Sequence, residues 1–187
     1  MGAEVVRPKP SQESVDTTVK DQKAKGYLSD ADIKTLSTDT EEAMRFLTLT
    51  ANKGKTIDDQ KSRGILDAKT ETAIRAMKPE NAITSLNVNE KMHSPNNLKY
   101  LTPLQKESLA KMTPDNALAW LNLNQDKYQA IRDAINSKLI LPPLNFATYA
   151  SGDPQNTIDE LKMLKESSEA GDKKKAEIDL DNALKQV

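Results

Sequence analysis

The chain has 187 residues, with 27 basic and 28 acidic side chains, a formal net charge of −1 and no cysteine. The balanced charge argues against a nucleic-acid partner, which needs a basic surface, and the absence of cysteine excludes disulfides and thiolate metal sites. No apolar run approaches the ~20 residues that span a bilayer, and no signal-peptide core is recognisable. We therefore expect no membrane span, and a protein that is cytoplasmic or exported to a host-cell cytosol without a Sec-type signal peptide.

The two ends of the chain differ in composition from its middle. Residues 1–19 hold two prolines and few large apolar side chains, which indicates a disordered N-terminal arm. Residues 169–187 hold the charge run Asp172–Lys175, followed by apolar residues at helical spacing. This end is either a last amphipathic helix or a frayed tail, and the spacing favours the helix. A helical-repeat domain is expected between the two ends, in residues 20–168.

A short phrase centred on one leucine recurs four times in this middle part. The leucines lie 38, 35 and 40 residues apart: Leu28, Leu66, Leu101 and Leu141. A second phrase follows each of them, and three of its copies follow a proline. These prolines lie 35 and 40 residues apart: Pro79, Pro114 and Pro154. Because both markers shift by the same insertions, the pattern predicts four structural repeats.

Each repeat is predicted to contain three short helical segments. The first ends before the fixed leucine, where Gly26 and Gly64 suit a left-handed helix terminus. The second begins at a capping residue directly after the fixed leucine: Ser29, Asp67 or Thr102. Gln105 completes a capping box with the last of these. The third segment is expected to end on a polar residue: Thr50, Asn89 or Asn124.

The predicted fold is therefore all-α, a short helical-repeat stack (α-solenoid-like) with about four repeats of roughly 35–40 residues. Helices of about ten residues are too short to be stable alone, so each repeat must bury its apolar stripe against the next one. No alternating run of β-branched residues competes with helix. We expect all four fixed leucines to be buried.

Two motifs of the third repeat resemble a known class of repeats. Leu101-Thr102-Pro103-Leu104-Gln105 is followed by Thr113-Pro114-Asp115-Asn116-Ala117. Together they resemble short helical repeats found in some proteins of intracellular γ-proteobacteria such as legionellae. The resemblance covers roughly residues 20–165. It implies a secreted effector, or an accessory protein of a secretion system, that acts by protein contact.

No residue pattern in the chain indicates catalysis. His93 is the only histidine, and a zinc site needs three or four ligands. A Gly-Lys-Thr sequence begins at Gly54, but Leu49 stands where a phosphate-binding loop needs its first glycine. The acidic residues lie mostly where first turns of helices are expected, and there they favour the helix dipole. We predict no catalytic residue, no cofactor and no metal.

The most informative candidate for partner contact is Trp120, and Phe46 and Tyr128 are further candidates. The positions equivalent to Trp120 are Phe46, Ser85 and Glu160, so this position varies while its leucine neighbour is constant. Trp120 is either an exposed binding residue or a plug between helices, and burial is the favoured interpretation. The predicted function is a non-enzymatic protein–protein interaction module. The alternatives are a structural subunit of a larger assembly, such as a secretion machine or a virion, and then an enzyme on an all-α scaffold.

Overall fold

The computed structural model describes the backbone of residues 8–139 and 144–184 and the side chains of residues 8–139 and 146–175. Within these ranges the chain forms ten α-helices and no strand. The all-α class predicted from the sequence is therefore confirmed.

The helices belong to two compact units, and the boundary between them along the chain falls between Glu90 and Lys91. The first unit contains α1 (Gln12–Ala24), α2 (Asp30–Lys34), α3 (Thr40–Ser62), α4 (Ala68–Arg75) and α5 (Pro79–Met92), whose last two residues pass into the second unit. The second unit contains α6 (Pro95–Tyr100), α7 (Pro103–Lys111), α8 (Pro114–Asn136), α9 (Leu144–Ser151) and α10 (Pro154–Leu184).

The helices after the fixed leucines begin at the predicted caps. The side chain of Ser29 accepts from the backbone N–H of Asp32, and that of Asp67 accepts from Thr70. Thr102 forms the predicted capping box with Gln105. Each cap satisfies donors that the first helical turn leaves without a partner, so a side chain fixes where these short helices begin.

Three helices end in the same left-handed turn. Gly26 and Gly64 follow α1 and α3 with φ of 70°, as predicted, and Lys138 follows α8 with φ of 59°. In each turn the left-handed residue donates to the carbonyl three residues back and the next residue donates five residues back. These two hydrogen bonds satisfy carbonyls at the helix end that have no intrahelical partner. Lys138 was not anticipated, because the sequence has no glycine there.

Lys138→Gly should stabilise the protein by about 0.5–1 kcal/mol, because glycine adopts a left-handed φ without the steric cost that a side chain meets. The matched control is Ser137→Gly, one residue earlier, where φ is −82° and glycine brings only entropic loss. Chemical denaturation measures both. Equal or lower stability of Lys138→Gly would contradict the assigned turn.

The third segments do not end where the sequence predicts. In α3 and α8 the third segment of one repeat continues into the first segment of the next, which makes a single helix of 23 residues. Thr50 and Asn124 lie inside these helices and are buried, and Asn89 lies inside α5. The prediction was wrong because these polar residues donate side-chain hydrogen bonds within their unit instead of capping a helix end.

The core of each unit repeats one local arrangement. Leu28, Leu66 and Leu101 are 4%, 8% and 5% exposed, so three of the four fixed leucines are buried as predicted. Leu141 lies outside the described residues. Leu28 packs in one cluster with Ala43 and Leu47, and Leu66 packs in one cluster with Ala82 and Leu86. The same pair of a small residue and a leucine four positions later is buried on α8 and α10: Ala117 and Leu121, Thr157 and Leu161. The sequence interpretation identified these leucines but missed the small partner.

The N-terminal end of the chain is more helical than the sequence interpretation allowed. α1 begins at Gln12, inside the predicted disordered arm of residues 1–19, and packs against α3. Val15 and Gln22 are buried in α1, and Val19 packs against the same core cluster as Val15. α10 runs to Leu184 without a break near residue 169, which agrees with a helical C-terminal segment.

A glycine in the middle of α3 allows close packing of a tyrosine. A Cβ atom added at Gly54 would lie 2.2 Å from Cδ1 of Tyr27. The hydroxyl of this tyrosine donates to Asp58, one turn further along α3, at 2.8 Å. Glycine inside a helix costs about 1 kcal/mol relative to alanine, and here the tyrosine ring occupies the space that a side chain would need.

Gly54→Ala should destabilise the protein by about 1–3 kcal/mol, although alanine favours helix, because the methyl group collides with the ring of Tyr27. The double variant with Tyr27→Ala should remove most of that additional loss. The matched control is Gly171→Ala in α10, where nothing lies within 4 Å of the added Cβ. Circular dichroism should show increased helix content for this control. A neutral Gly54→Ala would refute the contact.

Candidate functional site

A groove of about 880 Å³ opens on the first unit. It is lined by the turn and helix at residues 26–35, by Phe46 and Lys53 on α3, and by the junction of α4 and α5 at residues 75–80. Its size is within the range of pockets that hold small ligands or peptide side chains. The groove thus combines an apolar wall with the polar ends of short helices.

Lys53 stands in this groove and closes the end of α4. Its Nζ donates to the carbonyls of Arg75 and Met77, each at 2.7 Å. Burial lowers the pKa of Lys53 from its ordinary value. The lysine satisfies carbonyls that α4 leaves without partners, so its ammonium group is engaged in the fold.

The second unit contains the same device on α8. Nζ of Lys127 donates to the carbonyls of Ala150 and Gly152, at 2.5 and 3.1 Å, and so closes the end of α9. Its side chain is fully buried, and burial lowers the pKa of Lys127 to about 8. Lys53 and Lys127 both lie six residues after the buried leucine of their helix. This correspondence defines equivalent positions in the two units.

The rim of the groove carries both signs of charge. Arg75 is held by Glu71 through its Nε, at 2.8 Å. The carboxylate of Asp32 accepts from the backbone N–H and the hydroxyl of Ser29, at 2.9 and 2.6 Å. Lys78 and Glu80 complete the rim. Such a mixed rim does not select a purely anionic or purely cationic ligand.

The three candidate contact residues differ in how far they are buried. Phe46 is half-buried in the wall of the groove. Trp120 is half-buried on α8, at the position equivalent to Phe46, so the full burial that was favoured for it is not observed.

Tyr128 has to be corrected as a candidate contact residue. It is only 2% exposed. Its ring lies 6.1 Å from that of Tyr100, and its hydroxyl accepts from Asn124 at 3.1 Å. Burial raises the pKa of Tyr128. This residue belongs to the core of the second unit and offers no surface to a partner.

The sequence interpretation missed a pair of buried glutamines. Nε2 of Gln22 donates to the carbonyl of Leu47 at 2.7 Å, and Nε2 of Gln60 donates to that of Leu86 at 2.8 Å. Both glutamines lie six residues before a fixed leucine, and that shared spacing was the available signal. Gln22 thus links α1 to the backbone of α3, and Gln60 links α3 to the backbone of α5. The two glutamines therefore help to position the three longest helices of the first unit.

The two glutamines differ in how their Oε1 atoms are satisfied. Asn89 donates to Oε1 of Gln60 at 2.8 Å. The residue equivalent to Asn89 in the first repeat is Thr50, whose hydroxyl donates instead to Phe46 at 2.9 Å. Oε1 of Gln22 is therefore buried without a hydrogen-bond partner. A buried acceptor in this state costs roughly 1–3 kcal/mol.

Thr50→Asn should stabilise the protein by about 1 kcal/mol, because an asparagine there can donate to Gln22 as Asn89 does to Gln60. The matched control is Thr50→Val, which has a similar size but no donor and should bring no gain. Thermal melting compares the two variants. An asparagine variant no more stable than the valine variant would rule out this explanation of the unsatisfied oxygen.

The groups that the sequence interpretation considered for catalysis lie in the following places. His93 lies partly buried in the turn after α5, and Gly54-Lys55-Thr56 lies within α3 rather than in a loop. Among the described residues, no three histidine or acidic side chains are grouped closely enough to hold a metal ion. None of the described helices is long and apolar enough to cross a membrane.

Comparisons of the chain with protein-family models, with curated proteins and with solved structures gave no match. The site is therefore interpreted from its own geometry.

Proposed function

We propose that the chain is a non-enzymatic protein-binding module built as a short helical-repeat stack of about four repeats. Support for the repeats comes from devices that recur at equivalent positions: the buried fixed leucines, the cap that follows them, the left-handed turn before them and the lysine that closes a short helix. Helical-repeat proteins generally present extended surfaces to partners. An effector or secretion-accessory role is the version of this proposal that the resemblance implies.

The observation that carries the proposal is the pair Phe46 and Trp120. Both are half-buried, whereas the next residue in each helix, Leu47 or Leu121, is fully buried. An aromatic side chain that is anchored on one side and exposed on the other loses little conformational freedom on binding, and such residues dominate the energetics of protein interfaces. Equivalent positions on two long helices thus offer contact residues of the same kind.

Trp120→Ala should weaken binding of the cellular partner by ~2 kcal/mol or more, about thirtyfold in Kd, while leaving the free energy of unfolding nearly unchanged. The measurement is affinity capture of the partner from cells that express the tagged chain, followed by titration with the purified partner. Leu121→Ala is the control from the adjacent buried position and should cost about 2–5 kcal/mol in stability. A tryptophan variant that loses stability like the leucine variant but keeps its partner would refute the proposal.

A second candidate function is a structural subunit of a larger assembly. It is favoured by two large apolar side chains on short helices of the second unit, Leu98 and Leu104, which are 56% and 72% exposed. Permanent subunit contacts are typically more apolar than transient ones. Capture of stoichiometric sister subunits, rather than a separate soluble partner, distinguishes this function from the first.

A further inference from the structure

In the second unit, one side chain ties α7 to the end of α9. Gln105 occupies the third helical position after the cap Thr102, and its Oε1 accepts from the backbone N–H of that threonine at 3.0 Å. Its Nε2 approaches the carbonyls of Ser151 and Gly152 at 3.3 and 3.5 Å. The amide therefore serves the capping box with its oxygen and the end of α9 with its nitrogen.

The equivalent tie is missing in the first unit. Asp32 holds the position of Gln105, because each is the third residue after its cap. Ala76 corresponds to Ser151, because the flanking carbonyls bind Lys53 and Lys127 in the same way. An ionised aspartate accepts hydrogen bonds but has none to donate. Among the described residues, no hydrogen bond joins α2 to the end of α4, and the groove lies open between them.

We propose that this groove binds a peptide segment of a partner protein that places an amide donor on the carbonyl of Ala76 and a large apolar side chain against Phe46. The inference rests on the proposed protein-binding function and names the surface and the chemistry of the partner. In the first unit, the amide donor of the partner peptide takes the role that the amide of Gln105 has in the second unit.

The lining of the groove supports a peptide over other ligands. Phe46, Leu28 and Met77 provide an apolar wall, which suits a leucine-sized or aromatic side chain. Lys53 already bonds two carbonyls, which leaves it committed to the fold. Asp32 and Arg75 carry opposite charges, so they favour a peptide with residues of both charge signs beside its apolar side chain over a phosphate or another compact anion.

The test uses phage-displayed random peptides of about 12 residues, selected on the full-length chain and measured by titration with the synthetic peptides. Asp32→Gln should build the internal tie that Gln105 makes and close the groove. It should therefore weaken binding of the selected peptides at least about tenfold. The control is Asp32→Glu, because glutamate has the same length as glutamine but no amide donor. This control should weaken peptide binding by much less than Asp32→Gln does. Both replacements keep an acceptor for the capping box, and thermal melting verifies that both fold.

The expected result also has a structural signature. The selected peptides should be enriched in glutamine or asparagine beside a large apolar residue, and they should shift the backbone resonances of Phe46, Ala76 and Met77. The proposal is overturned if no peptide is enriched over blank selection, or if the peptides bind the Asp32→Gln variant as tightly as the original chain. It is also overturned if Asp32→Gln abolishes self-association of the chain, because the occupant is then a second copy.

Failure of this inference is separable from failure of the proposed function. A cellular partner that depends on Trp120 but is indifferent to Asp32→Gln would leave the protein-binding function intact and reject the groove. A chain that retains no specific partner in any variant would reject the function itself.

Discussion

Every helix leaves several backbone N–H groups at its start and several carbonyls at its end without an intrahelical partner, and this fold depends on how those groups are satisfied. Among the described helices, α2, α4, α6, α7 and α9 have fewer than ten residues, so end groups make up most of their backbone. Side-chain caps satisfy the starts of α2, α4, α6 and α7. At the ends of α4 and α9, the satisfying group comes from a distant helix as the ammonium of Lys53 or Lys127. Because helices of this length are marginally stable alone, the stability of α4 and α9 depends on tertiary contacts.

The sequence predicted the parts of this arrangement that rest on local chemistry. Caps such as Ser29 and the glycines with positive φ were recognisable, because each acts on residues three to five positions away. The same local reasoning failed at Thr50 and Asn124, which look like helix ends but are buried inside long helices. The hydroxyl of Thr50 donates to the carbonyl of Phe46, and Nδ2 of Asn124 donates to Oδ1 of Asn97. In a local pattern, a polar residue that ends a helix is indistinguishable from one that is satisfied by packing.

The groove was beyond prediction for a related reason. Its lining comes from three stretches that are distant along the chain, at residues 26–35, at Phe46 and Lys53, and at residues 75–80. The sequence interpretation recognised Phe46 as a candidate but had no means of placing it in one groove with Ala76. Lys53 and Lys127 were missed because an isolated lysine is usually solvated. Their shared feature in the sequence is the six-residue distance from a buried leucine. This spacing indicates a common role only after the structure shows that both lysines donate to carbonyls.

The tyrosines that precede Leu28 and Leu101 show how the two units differ. Tyr27 lies against Gly54 of α3, whereas Tyr100 lies beside Tyr128 of α8 and 5.2 Å from Phe146. Gly54 and Tyr128 follow the two equivalent lysines, so the same position is empty in one unit and filled in the other. A long helix and the turn that packs on it therefore form a matched pair. Recombination that moved α8 into the place of α3 would set two tyrosines in space built for one, so these repeats can be exchanged in evolution or in design only as whole units.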